Sequence, residues 1–128
     1  MWRLAPFLWY GFIFASSCKS VNGKDVEREI QNRFQGDSQN RAMAIWKRMW
    51  WLPVKGWHAT EFGILYALFR KAGFDKASAL AMVAVGASLD EYHQTFVEGR
   101  TGTARDVFID MGGALAAAGI EGMIEKRK

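Results

Sequence analysis

Cysteine is nearly missing from this 128-residue chain: Cys18 stands alone, so no intrachain disulfide can form and no zinc-type cysteine framework exists. Histidine is almost as scarce, with only His58 and His93. There is no Ser-His-Asp spacing, no Walker loop and no dinucleotide fingerprint. No apolar block reaches the roughly 20 residues that span a bilayer by composition alone. A clustered basic face is lacking too. The 17 Lys and Arg outnumber the 13 Asp and Glu, giving a net charge of +4 and a pI of about 9.4. These cations flank apolar blocks instead of gathering on one solvent-facing element, which argues against nucleic acid as a partner.

What is present is apolar and segregated. Half of the residues are hydrophobic, with six Trp, nine Phe and six Met, and the mean hydropathy of -0.10 averages over apolar blocks and a polar middle. The blocks are "LAPFLWYGFIFASSC" (4–18), "WHATEFGILYALF" (57–69), "KASALAMVAVGASL" (76–89) and "VFIDMGGALAAAGI" (107–120). The polar residues that shorten them fall at one end of each, and antiparallel neighbours would bring three of those ends together. The reading is an all-α, four-span transmembrane helical bundle in one domain, 1–128. Residues 1–18 form the first span or a signal segment, 19–56 a polar extramembrane segment, and 57–122 a three-span core. Within 42–57, Ile45, Trp46, Met49 and Trp50 recur at helical spacing beside Lys47 and Arg48. That pattern predicts a Trp-rich amphipathic helix lying at the membrane interface and leading through Pro53 into the second span. "RKAGFDK" (70–76) reads as a tight helical hairpin turn at Gly73. The abundant Ala and Gly of the third and fourth blocks suit close helix approach in lipid. Glu121 and Glu125 are expected to face water with the basic tail. Basic residues divide between both ends, so orientation stays open.

The densest ionisable stretch is "SLDEYHQTFVEGRTGTARDVFID" (88–110). Each histidine has a carboxylate three residues away, His58 with Glu61 and His93 with Asp90, and residues so spaced share a helix face. Asp106 and Asp110 repeat the pattern at i and i+4. Acids within or beside spans need partners, because a charge at mid-bilayer costs roughly 2.5 to 3.5 kcal/mol on insertion scales. His58, Glu61, Asp90, Glu91, His93 and Asp106 are therefore the candidate polar site. Lys55, Gln94, Arg100, Gly102 and Asp110 are the candidate ligand-binding residues, with Arg100 in a glycine-bearing turn able to fork onto phosphate or carboxylate.

"KGWHATEF" (55–62), "DEYHQTFVEGRTG" (90–102) and "DVFIDMGG" (106–113) resemble the VanZ-like family of small bacterial membrane proteins, and "FASS" is similar to the end of that family's first span. Lys55, His58, Asp90, Glu91, Gln94, Arg100, Gly102, Asp106 and Gly113 match the family pattern in order. Asp110 stands where many members carry asparagine, which adds an acid. The resemblance implies a multi-span protein of the bacterial cytoplasmic membrane, related to one associated with resistance to teicoplanin. On that footing, its partners are the bilayer and a lipid-linked or amphiphilic envelope component, or the glycopeptide antibiotic, held at one membrane face without turnover. Two other chemistries use the same side chains. A metal-dependent membrane hydrolase would hold a divalent ion with His58, Glu61, Asp90, His93 and Asp106 and attack a phosphate or ester. A proton-coupled lipid or ion mover would titrate the acids, and with four spans it would need a homo-oligomer. Catalysis and cofactor stay undetermined at this level.

Overall fold

The computed structural model describes residues 2–18, 23–98, 100 and 102–128. Gly99 and Thr101 of the "EGRTG" turn lie outside them. The regular elements among the described residues are all helical: a 3-10 turn Trp2–Leu4, then α1 (Ala5–Ser17), α2 (Gly23–Arg33), α3 (Asp37–Met49), α4 (Trp51–Lys71), α5 (Lys76–Gln94) and α6 (Ala104–Glu125). Helices α4, α5 and α6 form the body, α1 lies against α4 and α5, and α3 touches α2 and α4.

The seam between α4 and α6 exists because glycine meets backbone there. A Cβ on Gly113 would stand 1.8 Å from the Ala59 carbonyl oxygen, and one on Gly63 would stand 3.1 Å from that of Gly113. Small residues let helix backbones approach this closely. The buried face of α4 supplies Phe62, Leu65, Tyr66 and Phe69, and α5 supplies Ala79, Val83 and Ala87, with Ala114 from α6 and Ile13 from α1 completing the core. Helix α1 is fastened across it by two long-range bonds: Trp9 Nε1 donates to Glu61 O and Tyr10 OH to Gly86 O, each at 3.0 Å.

The turn expected at Gly73 is a complete left-handed helix stop. Gly73 has φ of 100°, its N–H bonds Arg70 O at 3.1 Å, and the Phe74 N–H bonds Phe69 O at 3.1 Å. The Phe69 and Phe74 rings then meet edge to face at 5.2 Å, the apolar contact that accompanies this motif. Asp75 begins the next helix, its carboxylate accepting from the Ser78 N–H at 3.0 Å. At this same end Glu121 is half-buried, not water-facing as expected. It accepts from Tyr66 OH at 2.6 Å and pairs with Arg70 at 2.8 Å, while Lys76 pairs with Glu125 at 2.6 Å. Three helices are thereby stapled at the end away from the acid cluster.

The expected interfacial helix within 42–57 is divided. Residues up to Met49 belong to α3, which starts earlier, at Asp37, and Trp51 onward are the first turns of α4. Pro53 sits in the first turn of α4, where the missing N–H has no helical partner to lose. Helix α6, with 22 residues and an 18-residue window of mean hydropathy 1.5, is the one helix among the described residues long and apolar enough to cross a membrane by itself. Helix α1 has 13 residues, about 20 Å at 1.5 Å per residue, and α4 carries charge at both ends. The all-helical architecture holds as expected.

Candidate functional site

The site is built where the start of α4, the end of α5 and the start of α6 come together, at the C-terminal end of α1. Four carboxylates lie inside the protein there: Glu61 is 1%, Asp90 0%, Asp110 2% and Glu91 6% exposed. An interior charge without compensation is prohibitive, so the donors around these acids determine what the site is.

Asp90 Oδ2 accepts from Ser17 Oγ at 3.0 Å and from Gln94 Nε2 at 2.7 Å. The amide of Gln94 then accepts from Arg100 Nη1 at 3.3 Å. The same Nη1 lies 3.3 Å from His58 Nε2. Guanidinium nitrogens only donate, so Nε2 is the acceptor and the ring proton sits on Nδ1. Nδ1 faces Glu61 Oε2 at 3.4 Å, out of hydrogen-bond alignment. Glu61 Oε1 lies 3.1 Å from Ser16 Oγ, whose proton is shared with Ile13 O at 2.8 Å. Ser16 and Ser17 are adjacent, so the path closes: Ser17, Asp90, Gln94, Arg100, His58, Glu61, Ser16. This polar circuit joins α1, α4, α5 and the turn that follows α5.

The turn itself is held by the remaining acids. Glu91, 6% exposed, accepts from the Thr103 N–H at 2.9 Å. Gly102 passes so near that a Cβ would stand 2.2 Å from Glu91 O. Asp106 pairs with Lys55, tying α6 to α4, and accepts from Thr103 Oγ1 at 2.9 Å. Asp110 lies one turn deeper, within electrostatic reach of His58, Glu91, Asp90 and Asp106. Its Oδ2, like Glu61 Oε2 and Asp90 Oδ1, is buried without a hydrogen bond.

Two expectations need correcting. Asp90 and His93 do not pair: Asp90 turns to Gln94, and His93 packs on the Phe14 ring at 4.0 Å with Nε2 3.8 Å from Cys18 Sγ. The five-residue ligand set His58, Glu61, Asp90, His93 and Asp106 does not gather either. Among the described residues no three His, Cys, Asp or Glu side chains group to hold one ion. Most of these side chains are turned to a different partner: Glu61 to Ser16, Asp90 to Ser17 and Gln94, Asp106 to Lys55, His93 to α1. The reading of single residues missed Ser16 and Ser17 as partners of the acids, although they are the serines of the "FASS" that resembles the family's first span.

The family model described as VanZ/LLP1 matches residues 3–124. The chain belongs to the VanZ/LLP1 family. No curated protein and no solved structure matches it. The matched stretch contains every member of the polar circuit of this VanZ/LLP1 protein, including the two serines of α1. Membership supports a VanZ-type envelope protein in general terms.

Proposed function

We propose that this VanZ/LLP1 protein is an integral protein of the bacterial cytoplasmic membrane that holds the polar head of a lipid-linked or amphiphilic envelope component at the polar circuit. In this reading α1, α4, α5 and α6 run through the bilayer, and the Trp-rich end of α3 with the first turn of α4 lies at headgroup level. The observation that carries it is an inverted distribution of polarity. Glu61, Asp90 and Asp110 are inside, while Leu8 is 75% and Phe108 76% exposed, and Val85, Leu89, Leu115, Ile120 and Ile124 also face outward. Only 11% of the apolar window of α6 is buried in the protein, unlike the core helix of a water-soluble bundle. Lipid is the solvent that tolerates such a surface.

Arg100 is the residue placed to meet the head group. It sits in the turn, half-buried, and its guanidinium already bridges His58 and Gln94. A phosphate or carboxylate of the ligand would add a charge-assisted, two-point contact that lysine cannot reproduce. The test is retention of a polyprenyl phosphate by the protein in nanodiscs. Arg100→Lys and Arg100→Ala should each weaken it, the alanine variant by at least about tenfold, with no effect of chelator. Equal retention by all three proteins, or metal-dependent turnover of the probe, would contradict the reading.

A second reading, proton-coupled movement, is favoured by the buried unbonded atoms Glu61 Oε2, Asp90 Oδ1 and Asp110 Oδ2. A proton added to one of these oxygens would displace no existing hydrogen bond. Uptake or retention that is unchanged by pH and membrane potential would remove it.

A further inference from the structure

The end of the bundle away from the polar circuit carries an open surface cavity of about 540 Å³, lined by Arg3, Phe7, Ala72, Gly73, Phe74 and Asp75. Sites for small ligands fall in this size range. Its shape follows from the helix stop at Gly73, which throws Phe74 back onto Phe69. Phe7 meets the same ring edge to face at 5.9 Å and Phe74 meets it at 5.2 Å, so the floor is aromatic.

Its rim carries one cation and one anion. Arg3 and Asp75 share the cavity, yet they make no ion pair with each other or with any other described residue. The Asp75 carboxyl is held below its ordinary value of 3.8 by the bonds from Ser78 Oγ and N–H, so it is ionised at neutral pH. Beside Arg3, the Lys71 ammonium lies 4.0 Å over the Trp2 ring, a cation–aromatic pair suited to the headgroup layer.

We propose that this cavity is a lipid headgroup site selective for the zwitterionic phosphoethanolamine head, with Arg3 receiving the phosphate and Asp75 the ammonium. Phe7 and Phe74 carry the glycerol and the start of the acyl chains. An anionic head such as phosphatidylglycerol would satisfy Arg3 but offer Asp75 no cation. A choline head has a cation but no N–H to donate to the carboxylate. The inference rests on the membrane placement proposed above and is independent of what the polar circuit binds.

Native mass spectrometry of the full chain, released from micelles holding equal amounts of phosphatidylethanolamine and phosphatidylglycerol, tests it. The wild type should retain the ethanolamine lipid in excess. Arg3→Ala should lower that retention about fivefold, the weight of one basic residue at a lipid surface. Asp75→Asn keeps a helix-capping side chain and removes only the charge, so it should abolish the preference while lipid is still bound. Unchanged helicity and unchanged polyprenyl phosphate retention in both variants would show that the fold and the other site are intact. Equal retention of the two lipids by the wild type, or a preference that survives both substitutions, would overturn the proposal. A chain absent from the membrane fraction would instead overturn the placement on which it rests.

Discussion

Asp90 shows how single residues make the interior tolerable. Its Oδ2 has a hydroxyl donor from α1 and an amide donor from its own helix, and Oδ1 has neither. Removing one donor leaves part of a buried carboxylate unsolvated, a loss of about 1 to 3 kcal/mol. Ser17→Ala should therefore lower the stability of the detergent-solubilised protein by that amount in a thermal or denaturant melt. Ser88→Ala, whose exposed hydroxyl only bonds Ala84 O of the same helix at 2.8 Å, should stay within about 0.5 kcal/mol of wild type. The candidate residues were legible because helix spacing puts i and i+3 on one face, and His58 with Glu61 follows that rule. His93 does not, because i+4 is equally near: Gln94 takes the place beside Asp90, donating to it while accepting from Arg100, and the His93 ring packs on Phe14 of α1. The role of Ser16 and Ser17 depends on how α1 crosses α5, and no local spacing encodes that crossing.

At the scale of helices, the fit of α6 on α4 depends on one position. Gly113→Ala would drive a methyl into the Ala59 carbonyl, an atom of the backbone that cannot swing aside, whereas a Cβ on Gly112 meets nothing within 4 Å. Gly113→Ala should abolish or severely reduce folded yield, and Gly112→Ala should leave the melting temperature near wild type or raise it slightly. Asp75 governs the start of α5. Its carboxyl titrates lower in the folded chain than in the unfolded one, so its contribution is present above the ordinary carboxylate range and is lost as pH falls through the folded value. The protection of the Ser78 amide against hydrogen exchange, relative to the intrinsic rate at each pH, should fall on acidification below about pH 4 and show no cap-linked change between pH 6 and 8. The sequence reading located the turn at Gly73 because glycine alone supplies its positive φ freely. It misplaced the α3–α4 boundary because no glycine or proline marks Trp50. Reading Pro53 as the exit from an interfacial helix put the break after it, whereas proline in a first turn marks a helix already begun.

For the whole molecule, the central claim is that polarity is turned inside out: acids within the bundle, aromatic and aliphatic side chains on its outer surface, lipid around it. The all-helical class was legible from four apolar blocks and their shared polar end. Four separate spans were not, since among the described helices α6 alone is long and apolar enough to cross a membrane by itself. The most direct measurement is site-directed spin labelling of the reconstituted, Cys18→Ser protein at Val85, Phe108 and Leu115, comparing collisions with lipid-soluble oxygen and a water-soluble nickel chelate. All three labels should be oxygen-accessible and shielded from the chelate. Labels on those outward faces that collide freely with the chelate, as on a water-exposed surface, would contradict the claim.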